Sequence, residues 1–443
     1  MVSFLQYLLG SFLPSWLITL IGYIVITTII LIVTPVTFML QTWFERRMVA
    51  RMQDRLGPNR VGPAGLLQAV ADGVKMFTKE DITPRAADKY VHLLAPLVAV
   101  APVMLLFAVV PWGRGFEPAD TSVSLLFVIA ISSIAAVGLM MGGWGSNNKF
   151  ALLGAMRAVA QMVSYEIPAV LALLAMVLLT GTMNVNSYSA LQGGIPLLGG
   201  TLAEFGVPDL GLGWFAFTPI GLLGFGIFYC CVLSEGERTP FDIPEADSEI
   251  VAGYMTEYSG MKFAVFYMGQ FLFNYALSVI AAIVFLGGWN GPGVGLLVDA
   301  GLPWLGNILS VLYLLFKAWF LFFVMIWLRG AFPRLRVDQL MGFAWKFLLP
   351  LALVNIFSAA IWVVIMLWGS DPRWTVKLSI LGISLLGWLE TLPIWGRQLV
   401  ALAVTLLINF VAFRQVLLLN RRPRDETPAE LAQDQVFGTA ALP

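Results

Sequence analysis

The chain alternates long apolar runs with short polar ones. Nine runs of about 20 residues stand out, roughly 17–40, 91–111, 123–142, 158–180, 214–233, 263–287, 305–328, 347–368 and 398–419. A helix of about 20 residues covers the ~30 Å hydrocarbon core of a bilayer. A further run, 376–389, has 14 residues and reads as interfacial or re-entrant. Between the first two spans, Leu66, Val70, Val74 and Phe77 recur at helical spacing, with Gln68, Asp72 and Lys75 on other faces. That pattern predicts a short amphipathic helix on the membrane surface, flooring the mouth of a lipid-fed cavity or simply anchoring the chain. The expected fold is an all-α polytopic membrane protein of about nine transmembrane helices, with an amphipathic surface helix after the first.

The distribution of cations sets an orientation. The segments before the second, fourth, sixth and eighth spans hold seventeen Lys and Arg, and the loops after the second, fourth and sixth spans hold one, Arg114. The positive-inside rule then predicts an outside N-terminus and a cytoplasmic C-terminus. Nine spans return the basic tail of Arg421, Arg422 and Arg424 to the cytoplasm, whereas eight would strand it outside. The N-terminal run, with no Lys or Arg before it, reads as a retained signal anchor.

Composition narrows the chemistry. Only 12% of the 443 residues are charged, against about 25% in soluble domains, and 26 acids balance 26 cations. No nucleic-acid partner is expected. Cys230 and Cys231 are adjacent, and two ligands make neither a structural zinc site nor an iron–sulfur cluster. His92 is the single histidine, so haem ligation by a His pair is excluded. No metal, haem or flavin is expected in this chain; if electrons pass, another chain carries the metal. No internal repeat is visible, which counts against a secondary transporter.

The acids are not spread evenly. Residues 234–258 hold seven carboxylates, Glu235, Glu237, Asp242, Glu245, Asp247, Glu249 and Glu257, answered within the segment only by Arg238. Pro240 and Pro244 allow helix starts, with Thr239 and Asp242 as caps. From Glu245 on, a helix would put Glu245 and Glu249 at the repulsive i, i+4 spacing, which raises carboxylate pKa values and suits proton exchange. A solvated acidic loop or a docking patch for a basic partner is the alternative. Within the spans ionisable residues are scarce; Glu166 and Lys317 stand out, with Arg157 at the start of the fourth and Pro168 two residues after Glu166. Charges at that depth cost at least ~2.5–3.5 kcal/mol and face protein or water, or, for Lys317, a neighbouring subunit. Glu45-Arg46-Arg47 closes the first span at the headgroups, where snorkelling alone would account for Arg47 and Arg51.

Five motifs together resemble the quinone-site membrane subunit of respiratory complex I, the H subunit of bacterial NADH–quinone oxidoreductase. They are Glu45-Arg46-Arg47 with Gln53 through Pro63, Gly65 through Glu80, Gly143 through Glu166, Glu235 through Glu245 with Glu257-Tyr258, and Arg334 through Met341. The resemblance covers about residues 15–368. It implies a membrane domain over 1–368, an extra C-terminal region over 369–420 and a polar cytoplasmic tail over 421–443. It also implies a chamber for quinone as substrate, with Arg46, Asp72, Gly73, Lys75, Met76 and Phe77 near it. A proton path would run through Glu45, Glu166, Glu235, Glu237, Glu245, Asp247, Glu249 and Glu257. The implied setting is the bacterial plasma (inner) membrane. The implied partners are peripheral-arm iron–sulfur and quinone-site subunits on the cytoplasmic side, small and antiporter-like membrane subunits, and the lipid bilayer. Two positions depart from the family pattern: Gln270-Phe271 stands where an acid and Tyr are usual, and Asp247 where Glu is common. An anchor subunit of a membrane-bound hydrogenase or ferredoxin-linked complex would share the fold and the acids without using quinone. A secondary ion transporter is the reading from a different class.

Overall fold

A computed structural model describes residues 14–193, 211–243, 252–367 and 394–420. Among these the regular elements are helices. Eight are long and apolar enough to cross a membrane, and a shorter apolar helix, Pro219–Glu235, is the fifth in order. All nine expected runs are thus helical. The fifth, at 17 residues, spans about 26 Å and is a little short for the hydrocarbon core.

Helix α1 (Ser15–Met52) is longer than expected. Glu45-Arg46-Arg47 does not close it, because no helix breaker intervenes until Gly57-Pro58. At 38 residues it is about 57 Å long, so its last turns stand clear of a ~30 Å core. A 3₁₀ turn, Pro63–Gly65, leads into α2 (Gln68–Thr78), the expected amphipathic helix. Its apolar positions Val70, Val74 and Phe77 are all exposed. Helices α3 (Lys89–Val109), α4 (Ser124–Gly145) and α5 (Lys149–Thr180) follow. In α3 and α4 the backbones come so close that a Cβ at Gly138 would lie 2.5 Å from Ala99 N. Helix α5 is continuous through Pro168.

The short helix α6 (Val185–Leu191) lies on the side of the bundle away from α2, and α7 (Pro219–Glu235) starts at a Thr218 cap with Pro219 in the first turn. Helix α8 (Gly260–Phe285) is the central post, 89% buried over its most apolar 18-residue stretch, while the same measure for α1 is 6%. It packs against α1, α3, α7 and α10 (Pro303–Ala331), with the short α9 (Val294–Asp299) before α10. Helix α11 (Val337–Phe343) runs through a π-helical turn, Ala344–Leu348, into α12 (Leu349–Leu367). Helix α13 (Ile394–Leu419) lies along α12 and reaches α7. The 376–389 run and the tail arginines fall outside the described residues.

Lys317, buried in α10, finds its partners inside the chain, not in a neighbouring subunit. Its Nζ donates to the carbonyls of Gly288 (3.0 Å) and Asn290 (2.5 Å) and sits 4.6 Å from the centre of the Trp214 ring. The ammonium thereby pins the α8–α9 connection to α10. Lys317→Met leaves both carbonyls without that donor, a cost of about 1–3 kcal/mol. The expected result is a lower melting temperature with earlier proteolytic cleavage between 286 and 302.

Candidate functional site

The site grows from the protruding end of α1. Successive side chains on a helix point about 100° apart, so Glu45 turns into the bundle while Arg46 reaches along the surface. Arg46 Nη1 meets Asp72 Oδ2 of α2 at 2.5 Å, and Lys75 Nζ lies 3.8 Å from the other oxygen. The surface helix is thereby tied to α1.

Glu45 is buried, with 5% of its surface exposed. Its Oε1 accepts from Arg238 Nη1 at 2.9 Å and also from Arg329 Nη1 at the end of α10. A lone carboxylate at that depth would be costly; two guanidiniums offset it. The Arg238 guanidinium lies 4.0 Å over the Phe271 ring of α8. So Arg238 answers an acid on α1. The segment's Asp242 is held by Arg334, at 3.4 Å between charged atoms and 2.6 Å from Nε to the Asp242 carbonyl.

Beside Glu45 and Arg46 opens a cavity of about 460 Å³, walled by Thr42, Val49, Tyr267, Phe271 and Arg329 and bordered by Arg55–Pro58. That volume falls in the ~300–1,000 Å³ range of small-molecule sites. Aromatic faces lie on one side and guanidiniums at the rim, so the arrangement suits a flat, apolar ring bearing hydrogen-bond acceptors.

Behind this cavity the 236–243 segment is a turn, with no helix start at Pro240; the start expected at Pro244 lies outside the described residues. Phe241 N donates to the Arg238 carbonyl (2.8 Å). Interior amides hold the turn. Gln161 Nε2 donates to the carbonyls of Ser234 (2.8 Å) and Phe241 (2.6 Å), and Asn274 Nδ2 to that of Gly236 (2.9 Å). Buried amides clamp it because its carbonyls have no regular partners.

Glu237 is buried in this turn, and its Oε2 accepts from Tyr254 Oη and Gln270 Nε2, both at 3.1 Å. The neutral residue at 270 therefore acts as a donor to an acid. Glu235, the last residue of α7, lies within electrostatic reach of Glu166 and shares with Glu237, Tyr254 and Gln270 a cavity of about 30 Å³, room for a water molecule. Glu166 accepts from Ser133 of α4. Glu257 accepts from Asn148 Nδ2 at 2.6 Å, and the next residue, Tyr258, stacks on His92 with ring centres 4.0 Å apart. Burial pushes the Tyr258 phenol well above its usual range, so it stays protonated.

A family model described as NADH dehydrogenase matches residues 24–360. The chain is 43% identical over 345 residues to the H subunit of NADH-quinone oxidoreductase from Dehalococcoides mccartyi, covering 78% of this chain and 85% of that one. Identity is 46% over 323 residues to the same subunit from Chlorobaculum tepidum (72% and 86% covered) and 42% over 375 residues to that from Chlorobium luteolum (82% and 97% covered). The chain belongs to the H-subunit family of NADH-quinone oxidoreductase.

The residues that the family resemblance implied fall into separate groups. Arg46 lines the large cavity and Asp72 orients it. Gly73, Lys75, Met76 and Phe77 do not line it; Phe77 is 73% exposed, facing away from the protein. Glu45 binds Arg238, the chain neighbour of Glu237, and Glu237 shares the small cavity with Glu235; Glu166 lies within electrostatic reach of Glu235, and Glu257 adjoins the Tyr258–His92 stack. Glu245, Asp247 and Glu249 lie outside the described residues. Sequence reading missed Tyr267, Phe271 and Arg329. The first two are an i, i+4 aromatic pair on the sixth run, and Arg329 is a lone cation ending the seventh.

Gly236→Ala probes the turn. An added Cβ would lie 1.5 Å from Asn274 Oδ1, so the turn or the side chain must move. Overpacking of this kind costs about 1–3 kcal/mol. The expected outcome is a reduced yield of assembled protein and a lower melting temperature than the same change at Gly73, where a Cβ meets nothing within 4 Å.

Proposed function

We propose that this protein forms the quinone chamber of a proton-translocating NADH:quinone oxidoreductase and begins the acidic path that couples quinone reduction to proton movement. The observation that carries the reading is that Glu45 borders the 460 Å³ cavity and binds Arg238, whose chain neighbour Glu237 shares a small cavity with Glu235. The basic side of the bundle, which carries α2 and the 236–243 turn, is the cytoplasmic side in this reading. There the peripheral arm with its iron–sulfur clusters would dock, and the exposed apolar edge of α2 would meet lipid or the arm. The antiporter-like subunits would take up the acidic path at its far end. This chain carries no redox group of its own.

The chemistry follows from charge. A quinone takes up two electrons and two protons, so negative charge builds in the chamber until protons arrive. Arg46 and Arg329 at the rim stabilise that charge. Arg329 is shared with Glu45, so a demand on its guanidinium weakens its hold on the carboxylate. Glu45 then depends more on Arg238, whose backbone belongs to the turn that carries Glu237. A change of charge in the cavity is thus felt as a change of field and position at Glu237 and Glu235, where Gln270, Tyr254 and room for water provide proton partners.

The test is purification of the intact complex by a tag on this chain, with NADH as donor and quinone as acceptor. Inhibitor-sensitive NADH–quinone activity is expected. Hydrogen evolution without quinone reduction would overturn the reading in favour of the hydrogenase relative. Arg46→Ala is expected to raise the quinone KM by roughly tenfold or more, the scale of one lost charge-assisted hydrogen bond, with NADH oxidation by an artificial acceptor unchanged.

A further inference from the structure

Helix α13 lies beyond residue 360, where the family match ends, yet it is built into the bundle. Asn409 Nδ2 donates to the Pro219 carbonyl at 3.3 Å, and Asn420 Nδ2 to the Lys346 carbonyl at 3.0 Å. Between α13, α7 and the π-helical turn runs a groove of about 520 Å³. Its walls are Leu, Ile and Phe side chains, Phe217, Phe343, Phe347 and Phe410 among them, with Asn409 as the polar exception. A Cβ added at Gly226 on its floor meets nothing within 4 Å.

One end of this groove is basic. Lys346 adjoins Phe347 and Arg414 adjoins Phe413, two of the phenylalanines that line the groove. Their neighbours Phe347 and Phe413 meet edge to face, with ring centres 5.9 Å apart. Both cations are exposed, and neither forms an ion pair among the described residues. Arg414 is the twenty-first residue of α13, the depth at which a helix leaves a ~30 Å core.

We propose that this groove is a binding site for one anionic phospholipid, with an acyl chain along the phenylalanines and the phosphate held by Lys346 and Arg414. A groove open to hydrocarbon at this depth excludes water, because water there loses its hydrogen bonds. Two cations at the headgroup level select an anionic lipid over a zwitterionic one. The C-terminal helix thereby gives this chain a lipid site that the matched part of the sequence could not form.

Photo-crosslinking on the intact complex in nanodiscs tests it. One probe is phosphatidylglycerol with a diazirine at the end of an acyl chain, and the other is the matching phosphatidylcholine. The phosphatidylglycerol probe is expected to label peptides from 343–351 and 406–413 about tenfold more than its zwitterionic counterpart. Lys346→Glu with Arg414→Glu should remove that preference. Gly226→Leu should lower labelling by both probes with the charges intact. Equal labelling by the two lipids would make this an ordinary lipid-facing surface and overturn the proposal. So would labelling by a quinone-tail probe that displaces the phospholipid, or no labelling because another segment of the chain fills the groove. Should a variant fail to assemble, the two-lipid comparison on the wild type decides alone.

Discussion

One buried carboxylate with two guanidinium partners holds the functional end of this membrane bundle together. Glu45 joins α1 to the 236–243 turn through Arg238 and to α10 through Arg329. Removing either arginine leaves the other to carry a charge that sits almost wholly out of water. Removing the carboxylate leaves buried Arg238 without its counter-charge, beside the more exposed Arg329. A pair of this kind adds little net stability over an apolar replacement but is expensive to break from one side. Its value is positional: it fixes the turn, the cavity wall and the end of α1 relative to one another.

The fold was legible because hydrocarbon imposes a simple code. Every backbone group in the core must bond within its own helix, so nine apolar runs became nine helices. What the code left open was where helices stop. Polar residues do not end a helix; breakers do. Hence α1 runs on through Glu45-Arg46-Arg47 to Met52. The turn after Ser234 was misread for the converse reason. Pro240 suggested a helix start, but Gln161 and Asn274, distant in sequence, take up the carbonyls of the turn. Local pattern carries no information about such long-range amides.

The site was half legible. The acids and Arg46 were visible because charge is rare in this chain. Tyr267, Phe271 and Arg329 were hidden, since aromatics on an apolar helix and a cation at a helix end are both common there. The partner of Arg238 was hidden too: seven acids lie near it in sequence, yet it binds one on α1. The departure at Gln270 turns from a gap into a contact, an amide donating to Glu237. The apolar edge of α2 shows that a recognisable motif can sit beside a cavity without lining it.

The central claim is that the Glu45–Arg238 contact transmits chamber charge to the acidic turn. The most direct measurement is the number of protons moved per electron in proteoliposomes containing the intact complex with Arg238→Gln, compared with wild type. The account predicts continued inhibitor-sensitive quinone reduction with fewer protons moved per electron. An assembled variant that reduces quinone with an unchanged proton-to-electron ratio would contradict it.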